Sequence, residues 1–161
     1  MTEKRHIFSI LVDNKPGVLS GIVGLFSGRG YNIESLCVAE TNEPDVSRIT
    51  MVSIGAKPVI EQIKKQLYKL INVIKVNDLT ETEYVQRELI LIKVTAKQDQ
   101  RAEILRIVDI FRGKIVDVGF EHYTIEVTGP VEKLAAILKM LKPMGIKDVA
   151  RTGNIALPRN Q

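Results

Sequence analysis

The stretch IFSILVDNKPGVLSGIVGLF, residues 7–26, decides the fold. Residues 7–13 form an apolar run that predicts a buried strand, and from residue 18 onward apolar side chains recur with the period of a helix. Between them, Pro16 is predicted to stand in the first helical turn, where a missing N–H is harmless. Gly28 and Gly30 are predicted to end this helix by supplying left-handed geometry. The stretch therefore indicates a β-α unit.

Outward from this stretch, strand-like and helix-like patterns alternate in the order β-α-β-β-α-β. The further strands of this half are predicted at Tyr31–Glu40, Ser47–Gly55 and Val73–Leu79, with a second helix whose first turn holds Pro58. The order then repeats, with a strand at Arg87–Thr95, a helix near Gln98–Phe111, strands at Lys114–Val118 and Tyr123–Thr128, a helix opened by Gly129-Pro130, and a last strand at Ile146–Ala150. The sequence therefore predicts an α+β protein of two ferredoxin-like βαββαβ domains in tandem.

A short polar segment separates the two predicted domains. Residues 80–83 read Thr-Glu-Thr-Glu, which is typical of a hinge between compact units. The predicted first domain is residues 1–79, followed by a linker at 80–84 and a second domain at 85–161. The residue-level match between the halves is poor, so the repeat is one of architecture only.

The composition is that of a water-soluble globular protein. Of 161 residues, 45% are hydrophobic and 26% are charged, and no apolar run is long enough to span a bilayer. The N-terminal residues lack the apolar region of a signal peptide, so a cytoplasmic location is expected. Cys37 is the only cysteine, which excludes an internal disulfide, and it is expected to be a small buried residue.

The basic balance does not by itself indicate nucleic acid. The net charge is +4, but the lysines are dispersed among glutamates, which is typical of solvated helix faces. RNA-recognition domains share the βαββαβ order, but they need aromatic side chains on the middle strands for base stacking. Residues 48–53 read Arg-Ile-Thr-Met-Val-Ser, without an aromatic residue. Neither a nucleic-acid partner nor a membrane partner is predicted.

No catalytic or metal-binding constellation is visible in the sequence. His6 and His122, the only histidines, fall on predicted strands of different halves, with no carboxylate at metal-ligand spacing. There is no Gly-x-Ser-x-Gly elbow, and Gly113-Lys114-Ile115 lacks the Ser or Thr of a phosphate-binding loop. The carboxylates Glu81 and Glu83 lie in the predicted linker. The sequence thus predicts no metal site, no cofactor in this chain, and no catalysis by the chain alone.

The segment that joins the first strand to the first helix, residues 13–20, is the candidate binding site. Gly17 removes side-chain bulk at a helix N-terminus, where free N–H groups and the positive end of the helix dipole favour a carboxylate. Asn14 offers an amide donor and an acceptor, which match the carboxylate and the ammonium of a free amino acid. An ordinary N-cap with a Pro-Gly turn explains the same residues.

Asn32, at the start of the next predicted strand, is a second candidate. The first helix returns the chain toward the sheet, so Asn32 is expected to approach the end of that helix or the equivalent region of a second copy. The alternative is an asparagine that satisfies local backbone groups at a strand start.

Two predicted strands carry apolar residues on both faces. Residues 7–12 and 89–92 are almost wholly apolar, whereas the helices of a βαββαβ unit cover only one face of its sheet. The second face must be covered by the other domain, by another copy or by a partner. Four glycines fall near one face of the first helix: Gly17, Gly21, Gly24 and Gly28. Close approach of another copy there would compensate for the ~0.5–1 kcal/mol that each helix-interior glycine costs, so a dimer through the edges of the first-domain sheets is predicted.

Several segments carry a family resemblance. The run Asp13–Leu19 resembles the signature of ACT domains, which bind amino acids at subunit interfaces. Six further segments resemble, more specifically, the regulatory small subunit of acetohydroxyacid (acetolactate) synthase. They are Gly24–Leu36, Ser47-Arg48, Glu61–Leu67, Arg87–Leu89, Ile110–Val118 and Ala150–Gly153. The similarity covers nearly the whole chain in order, which makes it more specific than the ACT loop alone. The final residues, Asn154–Arg159, depart from the expected Ser-Arg-Gly ending.

The resemblance implies that two subunits divide the work of branched-chain amino acid biosynthesis. A separate catalytic large subunit holds thiamine diphosphate, magnesium and FAD and condenses pyruvate with pyruvate or 2-oxobutyrate. The small subunit raises that activity and confers feedback inhibition by valine. By motif match, the valine site at the ACT dimer interface is carried over to Asn14, Gly17, Val18, Asn32 and Ile33. The second domain is then a candidate for docking to the catalytic subunit.

The main alternative is an ACT-domain amino-acid sensor that regulates a different biosynthetic enzyme. The segment Phe111-Arg112-Gly113 separates the two interpretations, because it resembles only the synthase subunit. An independent enzyme is a further alternative, which turnover of pyruvate by the purified chain would support.

Overall fold

The computed structural model describes residues 2–160 and divides the chain into two compact units. The first unit contains the residues up to Val85 together with those from Asn154 onward, and the second is Gln86–Gly153. The first unit holds β1 (Lys4–Asp13), α1 (Val18–Gly28), β2 (Ile33–Glu40), β3 (Val46–Gly55), α2 (Lys57–Tyr68) and β4 (Val73–Asp78). Then follow β5 (Tyr84–Thr95), α3 (Arg101–Ile110), β6 (Lys114–Val118), β7 (His122–Gly129), α4 (Val131–Leu141), β8 (Ile146–Arg151) and β9 (Ile155–Pro158).

The first unit is built on an antiparallel sheet in the order β2-β3-β1-β4. Alternate residues of β1 point to opposite faces, so Phe8, Ile10 and Val12 share one face. They are buried there against apolar side chains of α1 and α2, such as Ile22 and Ile63. Both helices therefore cover the same face of the sheet, as the pattern in the sequence predicts.

The second unit repeats this architecture with the strand order β6-β7-β5-β8. Ile90, Ile92 and Val94 of β5 form one core with inward residues of β7, α3 and α4. On the other face of β5, Leu91 is 38% exposed, so only one side of this strand is fully buried. The predicted fold class, two ferredoxin-like βαββαβ units in tandem, is confirmed.

The predictions for Pro16 and Gly28 of α1 are wrong, whereas the prediction for Gly30 is confirmed. Pro16 lies in a turn before the helix, because Gly17 is the N-cap and adopts a left-handed φ of 85° that reverses the chain after the proline. Gly28 is the last helical residue, whereas Gly30 supplies the left-handed geometry with a φ of 70°. The prediction for Pro58 is confirmed, since it stands in the first two residues of α2.

The outer face of the first sheet, opposite the helices, is partly covered by the C-terminal segment. Ile7 and Val52 point to this face and form a small buried cluster with Leu79 and Ala156 of β9. The sequence assigns residues 154–161 to the second domain, whereas the structure groups the described ones with the first unit. β9, which pairs with β5, was not predicted because it is four residues long, ends in a proline and buries a single small side chain.

A hydrogen-bonded turn occupies the segment predicted as a linker. Thr80 donates its backbone N–H to Asp78 Oδ1 at 3.0 Å, and its hydroxyl oxygen accepts the Ile7 N–H at 3.1 Å. The other carboxylate oxygen of Asp78 lies 3.1 Å from Nδ1 of the buried His6. The Thr82 N–H bonds to Leu79 O at 3.0 Å. These bonds attach residues 80–82 to β1 and β4.

None of the helices in residues 2–160 is long and apolar enough to cross a membrane.

The core of the second unit makes a direct prediction about stability. Ile104 is fully buried and its neighbour on α3, Leu105, is 49% exposed. We expect Ile104→Ala to lower the free energy of unfolding by about 2–5 kcal/mol, because it removes buried methyl groups and leaves a cavity. Leu105→Ala, the matched control, is expected to cost less than about 1 kcal/mol. Urea unfolding followed by circular dichroism measures both. Equal losses in the two variants would contradict the assigned core.

Candidate functional site

The loop between β1 and α1 is fixed by backbone bonds to two neighbouring segments. The Asp13 N–H donates to Asn72 O at 2.9 Å, before β4, and the Asn14 N–H donates to Asp45 O at 2.8 Å, before β3. Three connections of the first unit therefore meet at one end of its sheet. A site built on this loop has a defined geometry before any ligand arrives.

The Asn14 side chain ties the loop to the β2–β3 hairpin. Its Nδ2 donates to Glu40 Oε1 at 3.0 Å and to Pro44 O at 2.9 Å. Both partners are acceptors, so the NH₂ group must face them and both of its hydrogens are used. Only the Oδ1 oxygen then remains for a ligand. Of the two roles that the sequence suggests for Asn14, acceptance from an ammonium group is the one that this geometry leaves open.

Gly17 and Val18 present the N-terminus of α1 at the surface. Gly17 is exposed, and a Cβ built on it would meet no atom within 4 Å, so space beside it is open. The helix has no side-chain N-cap bond and no acidic residue in its first turn. The Val18 side chain is 8% exposed and belongs to the core, which leaves its backbone N–H as the group near the surface. This N–H makes only a long bond of 3.4 Å, to Lys15 O, and it lies at a helix N-terminus, where an anion is favoured.

An open cleft of about 330 Å³ lies beside this helix N-terminus. Its lining residues are Gly17, Val18, Gly21 and Ile22 of α1 with Lys69, Leu70, Ile71, Asn72 and Val73 of the α2–β4 connection. The volume is at the lower end of the ~300–1,000 Å³ range of small-molecule sites. The α2–β4 side of the cleft was missed by the sequence reasoning. It has no motif, and it is brought to the loop by contacts distant in sequence, the Asp13–Asn72 bond and the pairing of Val12 with Val73.

The other two candidate residues lie at the opposite end of the sheet. Ile33 pairs with Ser53, which pairs with His6 on β1, so β2 begins level with the start of β1. From His6 to Asp13 there are 13 − 6 = 7 residue steps, or roughly 24 Å at ~3.4 Å per step. Because β2 runs parallel to β1, Asn32 lies near the C-terminal end of α1, as expected, and far from the loop that holds Asn14 and Gly17.

Asn32 and Ile33 are nevertheless held in defined positions. The Ser53 hydroxyl donates to Asn32 O at 2.7 Å, and Ile33 is half-buried against the core of the first unit. Within residues 2–160, the Asn32 side-chain amide makes no hydrogen bond. It is exposed and available to a molecule outside the chain.

Other polar clusters of the described residues are structural. Residues 2–160 contain no group of three or more His, Cys, Asp or Glu side chains placed to hold a metal ion. Lys4, through a side-chain hydrogen bond of 2.7 Å and its positive charge, lowers the pKa of the exposed Glu81 carboxyl. In the second unit, Arg101 donates to the backbone oxygens of Ala96 and Phe120 at 3.1 and 2.6 Å. These contacts hold turns together and gather no reactive group.

Several known proteins are similar to this chain over nearly its whole length. Residues 8–75 match the family described as the AHAS small subunit-like ACT domain, and residues 87–160 match the small subunit of acetolactate synthase. The acetolactate synthase small subunit of Aquifex aeolicus is 52% identical over 157 residues, covering 97% of this chain and 82% of that protein. That of Mycolicibacterium smegmatis is 49% identical over 154 residues, covering 96% and 91%.

A solved structure gives the same result for the fold. The crystal structure of the acetolactate synthase small subunit from Thermotoga maritima superposes with a TM-score of 0.88 at 42% identity, covering 98% of this chain and 99% of that one. Both units, and not the ACT domain alone, are thus matched. The chain belongs to the family of acetolactate synthase small subunits, and its first unit is an ACT domain.

Proposed function

We propose that this chain is a non-catalytic regulatory subunit. It activates the thiamine-dependent catalytic subunit of acetolactate synthase and makes it subject to feedback inhibition by valine. Family membership over both units supports this assignment and disfavours a sensor for another enzyme. Thiamine diphosphate, magnesium and FAD then belong to the catalytic subunit, and the second unit of this chain is the candidate for contact with it.

The observation that carries the effector proposal is the separation of the site into two halves. Asn14, Gly17 and Val18 lie at one end of the sheet, and Asn32 and Ile33 lie at the other. A single amino acid cannot bridge roughly 24 Å. If both halves bind the same molecule, they must come from different copies of the chain.

The edge of the first sheet is suited to such a dimer. β2 is an edge strand, and Val38 on it and Leu19 on α1 are 39% and 40% exposed. Three glycines of α1 have no atom within 4 Å of the position a Cβ would take: Gly21, Gly24 and Gly28. A second helix can therefore approach the α1 backbone closely. Apolar side chains and an unpaired strand edge give this surface both a hydrophobic and a hydrogen-bonding contribution.

Two-fold symmetry then completes the site. If two β2 strands pair antiparallel about an axis between Leu36 and Cys37, Ile33 of one copy lies level with Glu40 of the other. Glu40 is the residue that accepts the Asn14 side-chain bond. The pairing thus brings Asn32 and Ile33 of one copy to the loop of the other, twice in each dimer.

The chemistry of the combined site fits a free branched amino acid. The N-terminus of α1, with the Val18 N–H, meets the carboxylate, and the Oδ1 oxygen of Asn14 accepts from the ammonium. The free amide of Asn32 orients the ligand from the other copy. Ile33 supplies an apolar contact for the branched side chain, beside the largely apolar cleft of α1.

Mixing two defective variants tests whether the site is shared. Gly17→Asp and Asn32→Ala are each expected to bind valine at least tenfold more weakly than the wild type. When the two variants are mixed in equal amounts and their subunits exchange, about half of the dimers contain one subunit of each variant. In such a dimer, one of the two sites has both Gly17 and Asn32 intact. Isothermal titration calorimetry should recover tight binding at a reduced stoichiometry. The shared site would be contradicted if the mixture binds valine no better than either variant alone. It would also be contradicted if the chain sediments as a monomer at micromolar concentration with and without valine.

Gly17→Asp also separates inhibition from activation. An aspartate at ~4 Å from the ligand carboxylate, at an effective dielectric of ~20, is repelled by roughly 4 kcal/mol. Solvent reduces this value, but a loss of tenfold or more in valine sensitivity should remain. Gly17→Ala is the matched control. A non-glycine residue at this left-handed φ costs about 1–2 kcal/mol, and alanine adds no charge.

The measurement is the activity of the reconstituted synthase against valine concentration, beside wild type. Both variants should still activate the catalytic subunit, and Gly17→Ala should keep more of the inhibition than Gly17→Asp. Unchanged inhibition in Gly17→Asp would move the effector site away from this loop. Loss of activation in both variants would mean that the substitutions damage the fold.

A further inference from the structure

The C-terminal segment of the chain packs on the first unit. After β8, Thr152 and Gly153 lead into residues 154–160, which belong to the same compact unit as β1–β4. Gly153 adopts a φ of 87°, a left-handed conformation that turns the chain at this point. The Arg159 N–H donates to Glu83 O at 2.8 Å, so the segment is attached near its end as well. We call residues 154–158 the C-terminal strap.

The strap covers the outer face of the first sheet through one buried side chain. Ala156 is 4% exposed and packs with Ile7, Val52 and Leu79, with the half-buried Tyr84 beside them. Its neighbour Leu157 is 56% exposed. This alternation of a buried and an exposed side chain is typical of a strand that lies on a surface. Replacing Ala156 by a larger polar residue must therefore displace the strap from the sheet.

The strap also bonds to the strand that carries half of the proposed effector site. The Asn154 N–H donates to the Ser35 hydroxyl oxygen at 3.0 Å, and Asn154 is 4% exposed. Ser35 follows an irregularity in the β2–β3 pairing, where the register shifts between Ile33 and Ser35. A shifted pairing has fewer ladder bonds to hold the chain, so side-chain anchors matter more there.

Three anchors hold this irregular part of β2. The Ser53 hydroxyl bonds to Asn32 O, the Arg5 guanidinium bonds to the Glu34 carboxylate at 2.9 Å, and the strap bonds to Ser35. The first two come from β3 and β1. The third comes from the chain that leaves β8, the last strand of the second unit.

We infer that the C-terminal strap positions the start of β2, and that Ser35 is a positioning residue for Asn32 and Ile33. The part of this inference that concerns valine rests on the proposed function. Because the strap continues directly from β8, the start of β2 is coupled through the chain to the second unit.

Hydrogen exchange of the full-length chain tests the strap without a ligand. Ala156→Asp, at the buried position, should raise the exchange rate of backbone amides in residues 33–37 about tenfold, because local opening becomes easier. Leu157→Asp introduces the same residue at the adjacent exposed position and should leave these rates at the wild-type value. Wild-type exchange in residues 33–37 of Ala156→Asp would overturn the inference.

Ser35 variants test the hydrogen bond and connect it to the effector. Ser35→Ala should weaken valine binding about fivefold in calorimetry, the size expected from one lost hydrogen bond. Ser35→Thr keeps the hydroxyl and should restore wild-type affinity. If Ser35 mattered only because its side chain is small, the larger threonine would not restore it. Equal affinity of wild type and Ser35→Ala would refute the positioning role while leaving the proposed function intact. If the wild type itself binds no valine, the proposed function is contradicted. The exchange rates of Ala156→Asp still show whether the strap positions the start of β2.

Discussion

The backbone hydrogen bonds between β1 and its two neighbours are the constraint on which the rest of the first unit depends. β1 pairs along its whole length with β3 and over half of it with β4, and β3 in turn fixes β2. These registers place Glu40 and Asn14 at one end of the sheet and Asn32 at the other. Because side chains alternate along a strand, the same registers decide which residues meet the helices and which face outward.

The outer face of this sheet explains why the C-terminal residues matter. Two helices cover Phe8, Ile10 and Val12, but they cannot reach Ile7 or Val52 on the opposite side. The strap buries these two side chains by contributing Ala156. The strap is also held by the pairing of β9 with β5 and by the bond from the Asn154 N–H to the Ser35 hydroxyl oxygen, which offset the cost of removing these polar groups from water. The burial of two apolar residues thus attaches the end of the chain to the ACT domain.

Glycine has two different roles in the loop–helix segment. Gly17 is required by backbone conformation, since its φ of 85° is strained for other residues even though the surrounding space is empty. Gly21 and Gly24 have ordinary helical conformations, and their missing side chains leave the α1 backbone open to a second helix. Substitution at the first position is therefore expected to act mainly on the loop and the proposed effector site, whereas substitution at the others is expected to act on the proposed dimer.

The sequence by itself determined the order of elements and the tandem βαββαβ architecture, because apolar periodicity and turn residues are local signals. The family was indicated separately, by the resemblance of motifs along nearly the whole chain. It also singled out Asn14 and Gly17, since a strand end, an Asx residue and a glycine before a helix are adjacent in the chain. Only the tertiary structure decided that Asn32 lies far from Asn14, because this depends on the direction of β2 relative to β1. The same holds for the strap, where contacts such as Asn154–Ser35 join residues 119 positions apart. No local pattern specifies such contacts, because they form only when a sheet face that the helices leave open has to be buried.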